Sequence, residues 1–241
     1  MAKKHRRFIP NILTLTNMFL GFTAIGLILQ REPLKAGNLI IIAGLLDAFD
    51  GKIARLLGIE SRFGVEFDSM ADTISFCVVP AILVNTLYVD GLHPLLGSAV
   101  SFLPLMFGTI RLAKFNTVYE SGDKNNYTVG LTTPISTITI FSFLMFNFEN
   151  HGTYGDPRTF IILLSLVCFL MVSPIHFMKF PLLSFKSGKK NTTLLIIFLI
   201  CSIGIAWSKG LLLFPITILF IGWNIIFWLL NLNKKQAEIK N

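Results

Sequence analysis

Long apolar segments alternate with short polar breaks along most of this 241-residue chain. An apolar helix of about 20 residues is long enough to cross the hydrocarbon core of a bilayer. The pattern predicts eight such helices, at 11–30, 38–57, 68–89, 93–116, 131–148, 159–177, 193–208 and 211–231. The predicted fold class is therefore all-α, a polytopic membrane helical bundle. We expect residues 1–241 to form a single domain whose last part is a helical hairpin at 193–231.

The composition agrees with a membrane protein. Hydrophobic residues make up 53% of the chain and charged residues 14%, whereas a soluble domain carries about 25% charged residues. The cysteines at 77, 168 and 201 each stand alone within an apolar run. Such isolated cysteines favour packed side chains over a zinc site or a disulfide framework.

The basic residues orient the predicted bundle. If both termini lie in the cytoplasm, the opposite side keeps only Arg31, Lys35, Arg158 and Lys209. Such an asymmetry is the usual signature of the cytoplasmic face. We therefore expect a protein of the inner, or cytoplasmic, membrane with both ends inside. The net charge of +8 then indicates attraction to anionic headgroups and not binding to nucleic acid.

Four aspartates interrupt two of these apolar segments. Asp47 and Asp50 end the second predicted helix, and Asp68 and Asp72 begin the third. A carboxylate at the centre of a bilayer costs about 2.5–3.5 kcal/mol on insertion scales. Spacings of three and four residues place each pair on one helix face. An antiparallel turn of about ten residues would bring both pairs to one depth, on the cytoplasmic side.

The residue types around the aspartates predict a metal site. Ligand sets made only of oxygen favour hard divalent ions, and two such ions about 3.5–4 Å apart would balance four carboxylates. We therefore expect two divalent cations, Mg²⁺ or Mn²⁺. Small residues at Gly51, Ala54 and Gly64 leave a groove beside them, and Arg55 offers a fork suited to phosphate. Together these features indicate a substrate that carries a pyrophosphate.

Intramembrane aspartates also occur in polar networks between helices and in the cation or proton pathways of transporters. A cation-coupled transporter predicts charged or broken-helix positions on several spans. Here the acidic residues concentrate in one hairpin. The pattern therefore favours an enzyme.

The aspartates belong to a longer pattern of acidic, small and basic residues. It reads Asp47-x2-Asp50-Gly51-x2-Ala54-Arg55-x8-Gly64-x3-Asp68-x3-Asp72. At every position this pattern resembles the signature of the CDP-alcohol phosphatidyltransferase family. Members of that family move a phosphatidyl-type group from a CDP-linked lipid to an alcohol and release CMP.

The resemblance implies roles for individual residues. Asp47, Asp50, Asp68 and Asp72 would hold a two-metal centre on the pyrophosphate, and Asp72 would also be the general base. The residues that it assigns to CDP-lipid binding are Asn11, Thr14, Gly51, Ala54, Arg55, Ser61 and Gly64. It also implies a homodimer.

Shorter segments resemble the phosphatidylserine synthase branch of the family. They are residues 6–22, with Pro10, Asn11, Thr14, Asn17 and Gly21, and residues 111–117, 130–134 and 170–186. Position 132 is threonine where that branch has proline. This resemblance implies CDP-diacylglycerol as donor and L-serine as acceptor. Glycerol 3-phosphate or an inositol phosphate as acceptor, and CDP-archaeol as donor, stay open.

Basic residues at the cytoplasmic ends of the helices are candidates for the acceptor's carboxylate or for a phosphate. These candidates are Arg111, Lys114, Lys179 and Lys186. The alternative for each is an ordinary interfacial anchor. Asn116 is a candidate for a hydrogen bond to the acceptor, with helix capping as the alternative.

Overall fold

The computed structural model describes residues 8–57, 61–120, 127–178, 193 and 210–240, without the side chains of 8–10, 50–57, 118–120 and 232–240. The α-helices in this part of the chain are α1 Phe8–Leu29, α2 Pro33–Leu57, α3 Arg62–Asp72, α4 Val79–Leu87, α5 Pro94–Glu120, α6 Thr133–His151, α7 Pro157–Val172 and α8 Leu213–Lys240. A π-helical segment, Thr73–Val78, joins α3 to α4 without a break. The short strands β1 Tyr127–Val129 and β2 His176–Met178 complete the described elements.

Small and apolar side chains let the helices approach closely. On α1, Ala24 and Ile28 are fully buried, and on α2 so are Ala36, Ile40 and Ala43. These faces pack against each other across the tight turn at 30–32. The apolar core continues from there into α4, α6 and α7. The hairpin of α2 and α3 is therefore held from two sides, by α1 and by α6.

The structure confirms a mostly helical chain. Four described stretches are long and apolar enough to cross a membrane, namely Asn11–Leu29, Arg62–Leu87, Pro94–Thr117 and Leu213–Asn231. Helix α7 is apolar but has only 16 residues. The count of eight spans and the orientation of the termini stay predictions, and the predicted span 193–208 lies almost wholly outside the described residues.

Helix α3 begins earlier than the hydropathy predicts. It starts at Arg62, because Ser61 caps it by accepting a hydrogen bond from the Gly64 amide at 3.1 Å. The predicted span began at 68 because Ser61, Arg62 and Glu66 interrupt the apolar pattern before it, and a cap does not require apolar neighbours. The connection from α2 to α3 is consequently only residues 58–61.

A small sheet departs from the all-α prediction. Strands β1 and β2 pair antiparallel, with Thr128 opposite Phe177. The Gly130 amide donates to the Ile175 carbonyl at 2.9 Å, which continues the pairing beyond β1. The Met178 amide donates to Asn224 Oδ1 on α8 at 2.8 Å. The sheet thus joins the segment before α6, the segment after α7 and helix α8.

Candidate active site

The hairpin of α2 and α3 gathers three aspartates into one cluster. Asp47, Asp68 and Asp72 each present a carboxylate oxygen, and these oxygens all lie within 4.8 Å of one another. Asp47 and Asp72 lie within hydrogen-bonding reach of each other across the hairpin. The structure therefore brings together three of the four predicted ligands. The side chains of the fourth, Asp50, and of Gly51, Ala54 and Arg55 lie outside the described residues.

The cluster is partly enclosed as well as acidic: Asp72 is buried, and Asp47 and Asp68 are half-buried. Asp72 is only 8% exposed, and its Oδ1 has no hydrogen-bond partner among the described residues. Like charges this close require a counter-charge. Arg111 on α5 lies near enough to interact with both Asp47 and Asp72. With all three carboxylates ionised and one guanidinium beside them, the net charge would be −2, which a hard divalent cation bound by oxygen would balance.

Arg111 faces the cluster from inside the protein. It is 8% exposed, unlike a residue that anchors a helix end in the interface. Its Nη1 donates to Thr133 Oγ1 at 3.3 Å, and its guanidinium carbon lies 5.9 Å from the centre of the Phe115 ring. Its Nε has no hydrogen-bond partner among the described residues. Arg111 can therefore still bind an anion.

Directly after Asp72, the helix widens into the π-helical segment. Such insertions occur frequently at functional sites. Two neighbours hold this one in place: Ser75 Oγ donates to the Asn17 carbonyl of α1 at 3.0 Å, and Thr137 Oγ1 of α6 donates to the Phe76 carbonyl at 2.7 Å. Asp72 thus stands at the start of a segment whose backbone is fixed from both sides.

Helix α1 lies against this segment. A Cβ added at Gly21 would stand 2.9 Å from Ser75 Cα, so only glycine permits the approach. One turn earlier, Asn17 is fully buried. Thr14 is also buried, and Asn11 is half-buried. Asn11 and Thr14 are the two residues of α1 that are predicted to contact the CDP-lipid. They lie about two turns and one turn, respectively, before Asn17 on this helix.

Other predicted residues have structural partners. Asn116 Nδ2 donates to Ser69 Oγ at 3.0 Å, which ties α5 to α3 between Asp68 and Asp72. Ser61 is the cap of α3, and the half-buried Gly64 lies in that first turn. Lys114 is exposed. Lys179 and Lys186 lie outside the described residues.

Sequence reasoning named Thr14 and Ser61 but missed four other hydroxyl groups around the site. Thr133 orients Arg111, Ser69 pairs with Asn116, and Ser75 and Thr137 fix the π-helical segment. Serine and threonine are common in membrane helices, so their positions alone carry little signal. The one available hint was segment 130–134, which contains Thr133.

The comparison with protein families assigns the chain clearly. The model of the CDP-alcohol phosphatidyltransferase family matches residues 7–172, a range that contains the aspartates and Arg111.

Individual relatives agree with the family match. A CDP-diacylglycerol–serine O-phosphatidyltransferase of Helicobacter pylori is 34% identical over 192 residues, which is 79% of this chain and 78% of that protein. One of Mycobacterium leprae is 30% identical over 178 residues, 72% of this chain and 59% of that protein. An archaetidylserine synthase of Methanothermobacter thermautotrophicus is 34% identical over 179 residues, 73% and 72% of the two chains.

These matches confirm the prediction of an enzyme and give no support to a transporter. The carboxylate cluster, its arginine and the family match over residues 7–172 lead to one conclusion. The chain is a transferase that belongs to the CDP-alcohol phosphatidyltransferase family.

Proposed function

We propose that this protein transfers the phosphatidyl group of CDP-diacylglycerol to the hydroxyl of L-serine, giving phosphatidylserine and CMP. The observation that carries the proposal is the cluster of Asp47, Asp68 and the buried Asp72 with Arg111 beside it. The names of the bacterial relatives specify serine and CDP-diacylglycerol, and the archaeal relative's name also contains serine. The names thus agree on the acceptor and differ in the lipid.

The donor set fits divalent metal. Asp47, Asp68 and Asp72 offer only oxygen, and Asp72 Oδ1 has no partner among the described residues. With Asp50 and a bound pyrophosphate the site would be too negative for a single divalent ion, which supports two Mg²⁺ or Mn²⁺ ions. Bound there, the ions would neutralise the pyrophosphate and stabilise the CMP leaving group.

Asp72 is the proposed general base. The serine hydroxyl oxygen forms a bond to the phosphatidyl phosphorus, the bond from that phosphorus to the CMP oxygen breaks, and the hydroxyl proton passes to the Asp72 carboxylate. Such a base accelerates a reaction about 10²–10⁴-fold. The enclosure of Asp72 also limits the access of water, which would otherwise compete as acceptor.

Arg111 is the proposed partner of the serine carboxylate. A guanidinium can bind a carboxylate through two parallel hydrogen bonds. Thr133 holds Nη1, while Nε has no partner among the described residues. Lys114, Lys179 and Lys186 would attract anions to the entrance. Asn116, fixed beside the aspartates by Ser69, is a further acceptor candidate.

The remaining predicted contacts complete the proposal. The CDP-lipid would lie against Asn11, Thr14, Gly51, Ala54, Arg55, Ser61 and Gly64. The site would open to the cytoplasm in a bundle of eight spans with both termini inside, within the cytoplasmic membrane. The basic loops predicted on that side support this orientation. The enzyme would act as a homodimer, as the family resemblance implies.

A direct assay tests the reaction and the acceptor together. The purified full-length protein is mixed with CDP-diacylglycerol and Mn²⁺ or Mg²⁺ in detergent micelles. L-serine, glycerol 3-phosphate, an inositol phosphate or buffer alone is then added. CMP release is measured and the lipid product is identified by mass spectrometry. We expect CMP and phosphatidylserine with serine and only background release with the others.

The outcomes separate the parts of the proposal. Absence of CMP release with every acceptor would contradict the reaction. Release with glycerol 3-phosphate but not with serine would overturn the acceptor alone. A parallel series with CDP-archaeol tests the donor: faster turnover of that lipid would favour an archaetidylserine product instead.

A further inference from the structure

Asn17 buries a carboxamide that has no hydrogen-bond partner among the described residues. The residue is fully buried on α1, and neither Oδ1 nor Nδ2 forms a hydrogen bond within the described part of the chain. A buried amide without partners costs free energy. An apolar side chain of similar size would avoid that cost. Packing alone therefore does not account for an amide at this position.

A second buried asparagine shows the usual arrangement. Asn224 on α8 is 4% exposed. Its Oδ1 accepts from the Met178 amide at 2.8 Å, and its Nδ2 donates to the Phe220 carbonyl at 2.8 Å. Asn224 thus has an evident structural role, which joins α8 to β2. Asn17 has no such contact through its side chain within the described residues.

The position of Asn17 on α1 places its side-chain amide near the level of Asp72, the proposed general base. Its carbonyl accepts from Ser75, three residues after Asp72. Helix α1 runs in the same direction as the continuous segment of α3 and α4, because Asn17 contacts Ser75 and Arg31, just after α1, donates to the Thr86 carbonyl near the end of α4 at 2.9 Å. A helical side chain leans toward the N-terminus of its helix. The amide of Asn17 therefore leans from the level of Ser75 toward the level of Asp72.

Asp72 and Arg111 also bury polar atoms without partners among the described residues, Oδ1 and Nε respectively. Asp72 interacts with Arg111 directly and is linked to Asn17 through Ser75. An acceptor hydroxyl that reaches Asp72 must enter this enclosed space. The three side chains together offer a cation, a base and a neutral group that both donates and accepts.

We propose that Asn17 binds the amino-acid acceptor, with Oδ1 accepting from its ammonium group and Nδ2 donating to an oxygen of the same molecule. The inference rests on the proposed function. Arg111 then neutralises the carboxylate, and Asn17 recognises the neighbouring amino group without adding a charge beside the aspartates. Asn17 becomes a residue that determines acceptor specificity.

Initial-rate kinetics on the full-length protein test this role. Asn17→Leu and Asn17→Ala are compared with wild type in two series. In the first, serine is varied at saturating CDP-diacylglycerol; in the second, CDP-diacylglycerol is varied at saturating serine. We expect the KM for serine to rise about 10- to 100-fold, as for loss of hydrogen bonds to a charged group. The KM for CDP-diacylglycerol should stay within about two-fold.

Stability supplies a readout that separates binding from structure. Asn17→Leu removes an unsatisfied amide, so its melting temperature should equal or exceed that of wild type. Asn224→Leu is the matched control, because its amide is satisfied within the protein. That variant should melt at a lower temperature and keep the wild-type KM for serine.

Several results would overturn the inference. One is an unchanged KM for serine in the Asn17 variants, and another is an equal rise in the KM for CDP-diacylglycerol. Failure of both variants to fold would show that Asn17 is structural. If Asn17→Leu alone does not fold, the KM values of Asn17→Ala for serine and for CDP-diacylglycerol test the inference instead. If wild type releases no CMP with serine, the proposed function fails instead.

Discussion

At the scale of single residues, Asp72 differs from its neighbours through its surroundings. Its spacing from Asp68 is that of any pair on one helix face. In the folded chain it meets Asp47 across the hairpin, lies near Arg111 and begins a π-helical segment. In these surroundings, Asp72 is suited to accept a proton from a bound hydroxyl group.

Asp72→Asn should separate binding from turnover. The amide keeps the shape of the side chain but cannot act as a base, so we expect CMP release to fall about 10²–10⁴-fold. Binding of CDP-diacylglycerol, measured with a radiolabelled lipid, should be largely retained.

The matched control for this variant is Glu66→Gln, which neutralises an exposed carboxylate on the same helix. Its activity should stay near that of wild type. Equal loss of lipid binding and turnover in Asp72→Asn would argue against its role as base.

At the scale of elements, the contact of α1 with the π-helical segment supports the site. The segment takes one hydrogen bond from α6, donates one to α1, and meets α1 where Gly21 leaves no side chain. A shift of either helix would move the backbone that follows Asp72. The backbone geometry next to Asp72 therefore depends on contacts that lie outside the carboxylate cluster.

Gly21→Ala tests this contact. The added methyl group would overlap Ser75, so α1 must move away. We expect a loss of about 1–3 kcal/mol of stability, as for other overpacked sites, together with a lower kcat. Thermal unfolding in detergent and CMP release measure the two effects.

Gly26→Ala is the control on the same helix, because nothing among the described residues lies within 4 Å of the added methyl group. It should be neutral, or stabilising by up to about 1 kcal/mol through helix propensity. Equal stability and equal kcat in Gly21→Ala and Gly26→Ala would show that the contact between Gly21 and Ser75 does not support the site.

At the scale of the whole molecule, the sheet connects the site to the C-terminal helix. The family match ends at residue 172, yet β2 and Asn224 bind later segments to the loop before α6. That loop leads through Gly130 to Thr133, which holds Arg111. The sheet thus joins the C-terminal helix to the segment before α6.

Cysteine labelling tests the orientation of the bundle. In a variant with Cys77, Cys168 and Cys201 replaced by alanine, we expect Asp90→Cys to react with a membrane-impermeant maleimide in intact spheroplasts. Val129→Cys, at an exposed position of β1, should react only after permeabilisation.

The cysteine-free parent controls for background labelling. The opposite pattern of reactivity would reverse the proposed topology, and reaction of both positions in intact spheroplasts would contradict the number of spans between them.

Much of this architecture follows from local sequence. The apolar runs predict helices, and the i, i+3 and i, i+4 spacings place each aspartate pair on one face. The start of α3 shows where that reasoning stops: the polar side chains of Ser61, Arg62 and Glu66 hid a helical start that depends on a cap. Strands of three residues lack any periodic signal, so the sheet was not predicted.

The sequence by itself determined the helical class, the family and the carboxylate hairpin, because these depend on composition and on spacings within about one turn of a helix. Only the tertiary structure decided that Arg111 faces the aspartates, that Asn116 pairs with Ser69 and that the side-chain amide of Asn17 is buried without a partner among the described residues. The physical reason is that these relations join residues of different helices. Which faces meet is settled by packing, through contacts such as that between Gly21 and Ser75.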